Sequence, residues 1–194
     1  MTAGLKRDDE AGSVVRGPGQ HSVVGAQRIG PYRLIQPLGE GGMGVVHLAL
    51  DPNGRAVAIK VLREHIAHDR EARDRLRREV ETLALVQDPR VAAILDADTE
   101  GPRPYIVTRY IPGPALDRVV FEDGPLEGEA LLRLGRGLWY ALNAIHGAGV
   151  IHRDLKPANV VLLDGDPVVI DFGIAHVADD IRLTMTGLVM GTPG

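Results

Sequence analysis

The tetrapeptide Ile111-Pro112-Gly113-Pro114 divides the chain into two unlike halves. Two prolines and a glycine this close together extend neither helix nor sheet, so the segments on either side fold as separate bodies joined by a hinge. Before the hinge, short Val-, Ile- and Leu-rich segments at 32–38, 45–50, 55–62, 91–97 and 104–110 are separated by glycine-rich or Asp51-Pro52-Asn53-Gly54 punctuation. They predict five antiparallel strands. Residues 63–87 carry six Arg against six Asp or Glu, yet Leu76, Val80 and Leu83 recur at helical spacing, the pattern of a helix with one buried stripe that Asp88-Pro89 stops. After the hinge, Leu131, Leu134, Leu138, Leu142 and Ile145 share one helical face over 127–146, ended by Gly147 and Gly149. Val160–Leu163 and Val168–Ile170 flank Asp164-Gly165-Asp166-Pro167, a hairpin signal.

Composition narrows the functions such a chain can have. With 44% apolar content over 194 residues it can bury a core, while residues 1–28, without an aromatic or a long apolar run, predict a disordered tail. The absence of Cys excludes a disulfide framework, a thiolate metal site and a thiol nucleophile, and fits a reducing compartment. Lys and Arg number 22 against 26 Asp and Glu, a net charge of −4, which provides no basic field for nucleic acid or an anionic membrane. No apolar run exceeds five residues, so no membrane-spanning helix is expected in these residues. His65 and His68 stand at i, i+3, but with no third ligand nearby in sequence they belong to a solvated face.

Three stretches carry chemistry. Gly39-Glu40-Gly41-Gly42-Met43-Gly44-Val45-Val46 fits Gly-x-Gly-x-x-Gly-x-Val, a spacing that lets backbone N–H groups approach phosphate oxygens. Because a strand follows rather than a helix, the loop is a hairpin tip; in isolation, a glycine-rich turn without a ligand would look the same. In Ala56-Val57-Ala58-Ile59-Lys60-Val61-Leu62 the two-residue period places Lys60 on an otherwise apolar strand. Its ammonium either pairs with an acid, Glu79 being the best placed, or snorkels to solvent. In His152-Arg153-Asp154-Leu155-Lys156-Pro157-Ala158-Asn159 and Asp171-Phe172-Gly173, a carboxylate, a cation and an amide within six residues precede a second carboxylate at a hairpin end. This set suits a hydroxyl nucleophile, a phosphate and Mg2+.

In order and spacing these motifs resemble the eukaryotic-type serine/threonine protein kinase family in its bacterial form, over residues about 30–194. The resemblance implies an α+β protein-kinase-like fold: a complete N-terminal β-sheet lobe with one helix at 29–110, then the hinge and the first part of the helical C-terminal lobe at 111–194. It implies ATP and Mg2+ as cofactors, with Gly39, Gly41 and Gly44 over the phosphates, Leu38, Glu40, Gly42 and Met43 also binding the cofactor, and Lys60 on the α- and β-phosphates, positioned by Glu79. Asp154 is implied as catalytic base, Lys156 as the cation on the γ-phosphate, and Asn159 and Asp171 as Mg2+ ligands. Val46, Ala58 and Val161 are implied around the adenine, Thr108 as gatekeeper, and the Arg109, Tyr110 and Ile111 backbone on the adenine edge; Arg109 departs from the acidic residue common there. Leu83, Ile94, His152 and Phe172 stand where the family stacks a spine through both lobes. Arg153 before Asp154 points to activation by phosphorylation, with Thr184 and Thr186 as phosphosites.

The expected partners are protein substrates with Ser or Thr, and a second copy of the chain for trans-autophosphorylation. Nucleic acid is not expected. The expected location is the cytoplasm, with a membrane anchor beyond residue 194 left open. Met190-Gly191-Thr192-Pro193-Gly194 stands where the family leads into its Ala-Pro-Glu anchor, so truncation within the activation segment is expected, with apolar surface on residues 130–150 exposed. Two readings follow: the front of an active kinase domain, or an ATP-binding or partner-binding remnant with weak catalysis.

Overall fold

In the computed structural model, which describes residues 27–42, 44–63 and 70–171, alternating apolar side chains organise the first half into one sheet. Strands β1 (Arg28–Ile29), β2 (Tyr32–Gly41), β3 (Gly44–Leu50), β4 (Ala56–Leu62), β5 (Ile94–Asp98) and β6 (Tyr105–Arg109) pair antiparallel in the order β1-β2-β3-β4-β6-β5. On one face Ala49, Val57, Ile59 and Val107 are buried with Tyr32 and Tyr105. On the other, Leu62 and Ile106 meet helix α1 (Arg70–Leu83) through Ala72, Leu76, Val80 and Leu83, which share its apolar stripe.

Three expectations for this half need correction. Arg28 belongs to the sheet rather than to a tail: it pairs with Arg33, while Ile29 pairs with Tyr32 and is buried. Closure of the core decides this, since Tyr32 also donates its hydroxyl to Asp96 Oδ2 at 2.8 Å and stacks edge-on against Tyr105. β2 is longer than its apolar stretch, and its register slips at Ile35 and at Leu38, two bulges that leave both side chains exposed. β5 begins only at Ile94; Val91 leaves the sheet to form a parallel bridge with Val169, and Ala92 donates to the Val169 carbonyl at 2.9 Å.

After the hinge comes a further helix, α2 (Leu116–Asp123), on which Leu116, Val119 and Val120 have helical spacing and only Leu116 is buried. Helix α3 (Gly128–Gly147) lies where predicted, but its buried stripe is rotated. Gly137, Ala141 and Ile145 face inward, while Leu131 is exposed and Leu138 and Leu142 flank the core. Gly137 takes the inner face because the hairpin of β7 (Val160–Leu163) and β8 (Asp166–Val169) comes very close there: a Cβ on it would collide with the Pro167 ring. The hairpin turn is Asp164-Gly165, both at positive φ, and Asp166 and Pro167 belong to the strand. Arg133 of α3 grips Asp166 at 2.6 and 2.8 Å. Among the described residues no helix is long and apolar enough to cross a membrane.

Candidate active site

The glycine-rich segment forms the hairpin between β2 and β3, with Gly39 opposite Val46 and Gly41 opposite Gly44. Its glycines fall into two kinds. A Cβ on Gly44 would run into the Val61 carbonyl, so this glycine is required by packing against β4; Cβ atoms on Gly39, Gly41 or Gly42 would meet nothing within 4 Å. Bare backbone that the fold itself does not require leaves space for a ligand with oxygen acceptors. Glu40 at this tip pairs with Arg63 at 2.9 Å, and Arg63 also donates to the Gly41 carbonyl at 3.2 Å. Leu38 is exposed beside it.

Directly opposed residues in an antiparallel pair share a face. The register places Val46 opposite Lys60, and Ala58 opposite both Leu48 and Thr108, so Val46, Ala58, Lys60 and Thr108 look out from one side of the sheet. Ile111 and Val161 are buried in a common cluster with Ala92 and Val168, which brings the end of the hinge onto the first strand of the hairpin. The Ala115–Val161 bridge and the bond from Leu162 N to the Pro114 carbonyl, 2.9 Å, fasten the same junction. Val46, Ala58, Thr108 and Val161 therefore lie around the junction of the two halves, and Arg109, Tyr110 and Ile111 run along it.

On the far side, residues 152–159 form a tightly bonded loop. Asp154 Oδ2 accepts from Lys156 Nζ at 2.8 Å and from Asn159 Nδ2 at 3.1 Å, and Asn159 Nδ2 also donates to the Asp154 carbonyl at 2.8 Å. The Lys156 hydrogen bond, helped by Asn159, holds the Asp154 carboxyl below the usual carboxylate range, so it stays ionised. Arg153 and Asp171 both have positive φ, 60° and 50°, a backbone conformation uncommon for residues with side chains. Asn159 is buried, and its carbonyl accepts from Ile170 N at 2.9 Å, which ties the loop to the segment that ends in Asp171. His152 is buried behind the loop, and burial pushes its imidazole below the ordinary value of 6.5.

The two sides meet at Lys60 and Asp171. Lys60 Nζ donates to Asp171 Oδ1 at 2.6 Å and Oδ2 at 2.8 Å, bridging 111 residues of sequence, with the Lys60 side chain largely shielded and that of Asp171 partly exposed. This corrects the expectation that Glu79 positions Lys60. Glu79 Oε1 stands 3.7 Å from Arg153 Nη1, so the acid of α1 faces the 152–159 loop while Asp171 holds the ammonium. Asp171, at a left-handed backbone position, offers both carboxylate oxygens to the Lys60 ammonium, a charge-assisted pair. Leu83 and Ile94 share the core under α1. Met43, His65, His68, Phe172, Thr184 and Thr186 lie outside the described residues.

A family model described as protein kinase domain matches residues 32–193. This chain belongs to the protein kinase domain family. Among its relatives, the serine/threonine-protein kinase AfsK of Streptomyces coelicolor is 47% identical over 167 residues, 86% of this chain and 21% of that protein. The probable serine/threonine-protein kinase PkwA of Thermomonospora curvata is 48% identical over 165 residues, 85% of this chain and 22% of that protein. Among solved structures, the kinase domain of Mycobacterium tuberculosis PknI superposes with a TM-score of 0.64 at 30% identity, covering 79% of this chain and 64% of that one. The chain thus spans about a fifth of the length of these curated relatives.

Membership in the kinase family implies ATP and Mg2+. The donor set fits both: Asp171 and Asn159 supply hard oxygen ligands of the kind Mg2+ takes, and the unencumbered backbone of Gly39, Gly41 and Gly42 suits phosphate. Arg109 could be seen in the sequence only as a departure from pattern; the contacts of its guanidinium required the fold.

Proposed function

We propose that this chain is the ATP-handling part of a serine/threonine protein kinase, which transfers the γ-phosphoryl group to Ser or Thr hydroxyls of proteins. The observation that carries this reading is the convergence of Lys60 from the sheet with Asp171, beside a loop where Asp154 is bonded to both Lys156 and Asn159. Lys60 would bind the α- and β-phosphates under the Gly39–Gly44 hairpin, with the hinge backbone on the adenine edge. Mg2+ held by Asn159 and Asp171 would neutralise phosphate charge.

Asp154 orients the substrate hydroxyl and accepts its proton as the oxygen attacks the γ-phosphorus. The bond to the β–γ bridging oxygen breaks, and ADP leaves with that oxygen. Lys156 offsets the charge on the moving phosphoryl group. Protein substrates with Ser or Thr, a second copy for trans-autophosphorylation at Thr184 or Thr186, and a cytoplasmic setting belong to the same proposal.

The test is phosphoryl transfer from labelled ATP to a generic basic protein and to the chain itself. Transfer should require Mg2+ and be abolished in Asp154→Asn, while Mg-ATP should raise the melting temperature of the wild type but not of Lys60→Met or Asp171→Ala. No melting shift with the wild type would overturn the reading. The pairing of Lys60 with Asp171, and of Glu79 with Arg153, favours a second reading, in which ATP is bound without transfer. A full melting shift with no labelled product would select it.

A further inference from the structure

The side chain of Arg109, at the end of β6, turns away from the base-binding edge and reaches into the loop over residues 88–92. Its Nη2 donates to the Pro89 carbonyl at 2.6 Å and approaches the Val91 carbonyl at 3.5 Å, while its backbone N–H donates to the Ala93 carbonyl at 2.9 Å. The Nε is buried and, among the described residues, has no hydrogen-bond partner, while the Nη2 end meets the Pro89 carbonyl at the surface.

That loop belongs mechanically to the second half of the molecule. Val169 N donates to the Arg90 carbonyl at 2.8 Å and Ala92 N to the Val169 carbonyl at 2.9 Å, and the Arg90 guanidinium lies over the Tyr140 ring of α3 at 4.9 Å. Ala92 packs in the cluster that contains Ile111 and Val161. Through Arg109 the hinge is therefore bound to a loop that is itself bonded to the hairpin carrying Val161.

We propose that Arg109 is a positioning residue for nucleotide-base recognition: its guanidinium, seated on the Pro89 and Val91 carbonyls, sets the hinge backbone at a fixed distance from the Val161 floor. This deepens the kinase reading and rests on it. An acidic side chain at this position would face two carbonyl oxygens and repel them, so an arginine here goes with this loop geometry rather than being a neutral replacement.

The experiment compares binding of Mg-ATP, adenosine and magnesium tripolyphosphate to the full chain by titration calorimetry, with urea unfolding run alongside. Arg109→Met should weaken adenosine and Mg-ATP about tenfold, on the scale of one charge-assisted hydrogen bond, and leave tripolyphosphate within about twofold. Arg109→Lys, which keeps a cation that can reach the Pro89 carbonyl, should recover part of the loss. If Arg109→Met does not fold, Arg109→Gln must show the same base-selective loss. Equal weakening of adenosine and tripolyphosphate, or no weakening in a folded variant, overturns the assignment to Arg109 alone. Failure of the wild type to bind either ATP or adenosine overturns the kinase reading and this inference with it.

Discussion

The sheet half and the helical half bury their apolar residues in opposite ways. In the sheet, bulky side chains go inside: Ile59 and Val107 are fully buried and Val57 is 3% exposed. On α3 two of the three buried residues are small, Gly137 and Ala141, with Ile145 the one bulky side chain inside, while Leu132 and Trp139 are 61% and 60% exposed among the described residues. Strands in a sheet stand a fixed distance apart and leave a layer to be filled by large side chains. A helix laid on a two-stranded hairpin gains by close approach, which only glycine and alanine allow. Alternation therefore guides to the core in the sheet half except at the β2 bulges, and leucine periodicity misleads in the other.

Substitutions can break this contrast or sharpen it. The largest effect is expected in the sheet, where Ile59→Ala should cost about 2–5 kcal/mol in urea unfolding through lost burial and a residual cavity. Next comes Gly137→Leu, an addition rather than a deletion, which should cost about 1–3 kcal/mol by forcing α3 off the Pro167 ring. If Gly137→Leu is neutral, the close helix–hairpin contact is not what selects the small residues. On the outward face, Trp139→Ser and Leu132→Ser should each stay within about 0.5 kcal/mol of wild type. A loss as large as that of Ile59→Ala would show that the outer face of α3 is covered in the folded protein.

A pH series probes the junction between the halves, where His152 is buried behind the loop that carries Asp154. Burial lowers its folded-state pKa, so as pH falls below 6.5 the unfolded chain takes up a proton that the folded chain refuses. Stability should be intact at neutral pH and decline from about 6.5 downward toward the folded-state value, where the decline ends. His152→Phe should remove that component of the decline in melting temperature. An unchanged pH profile in the variant would mean that other groups carry it.

Much of the candidate site could be located without the fold. The spacing of Gly39, Gly41 and Gly44, of Asp154, Lys156 and Asn159, and of Asp171 was legible because each group sits on one continuous turn or loop. What stayed hidden involved distant partners. The choice of Asp171 over Glu79 by Lys60 depends on how two lobes meet, and the seat of Arg109 depends on where the 88–92 loop lands. β1 was missed because two residues carry no periodicity, and α2 because its short apolar pattern follows directly on the prolines.

The sequence by itself determined the local grammar: strand alternation, the hinge at Pro112 and Pro114, a hairpin turn within 164–167, and the order of the chemical motifs. These follow from backbone sterics and side-chain period, which act over a few residues. Tertiary structure alone decided which face of α3 is inside, where Val91 leaves the sheet, and which carboxylate holds Lys60. Those outcomes are competitions among groups remote in sequence, settled by the distances that packing allows.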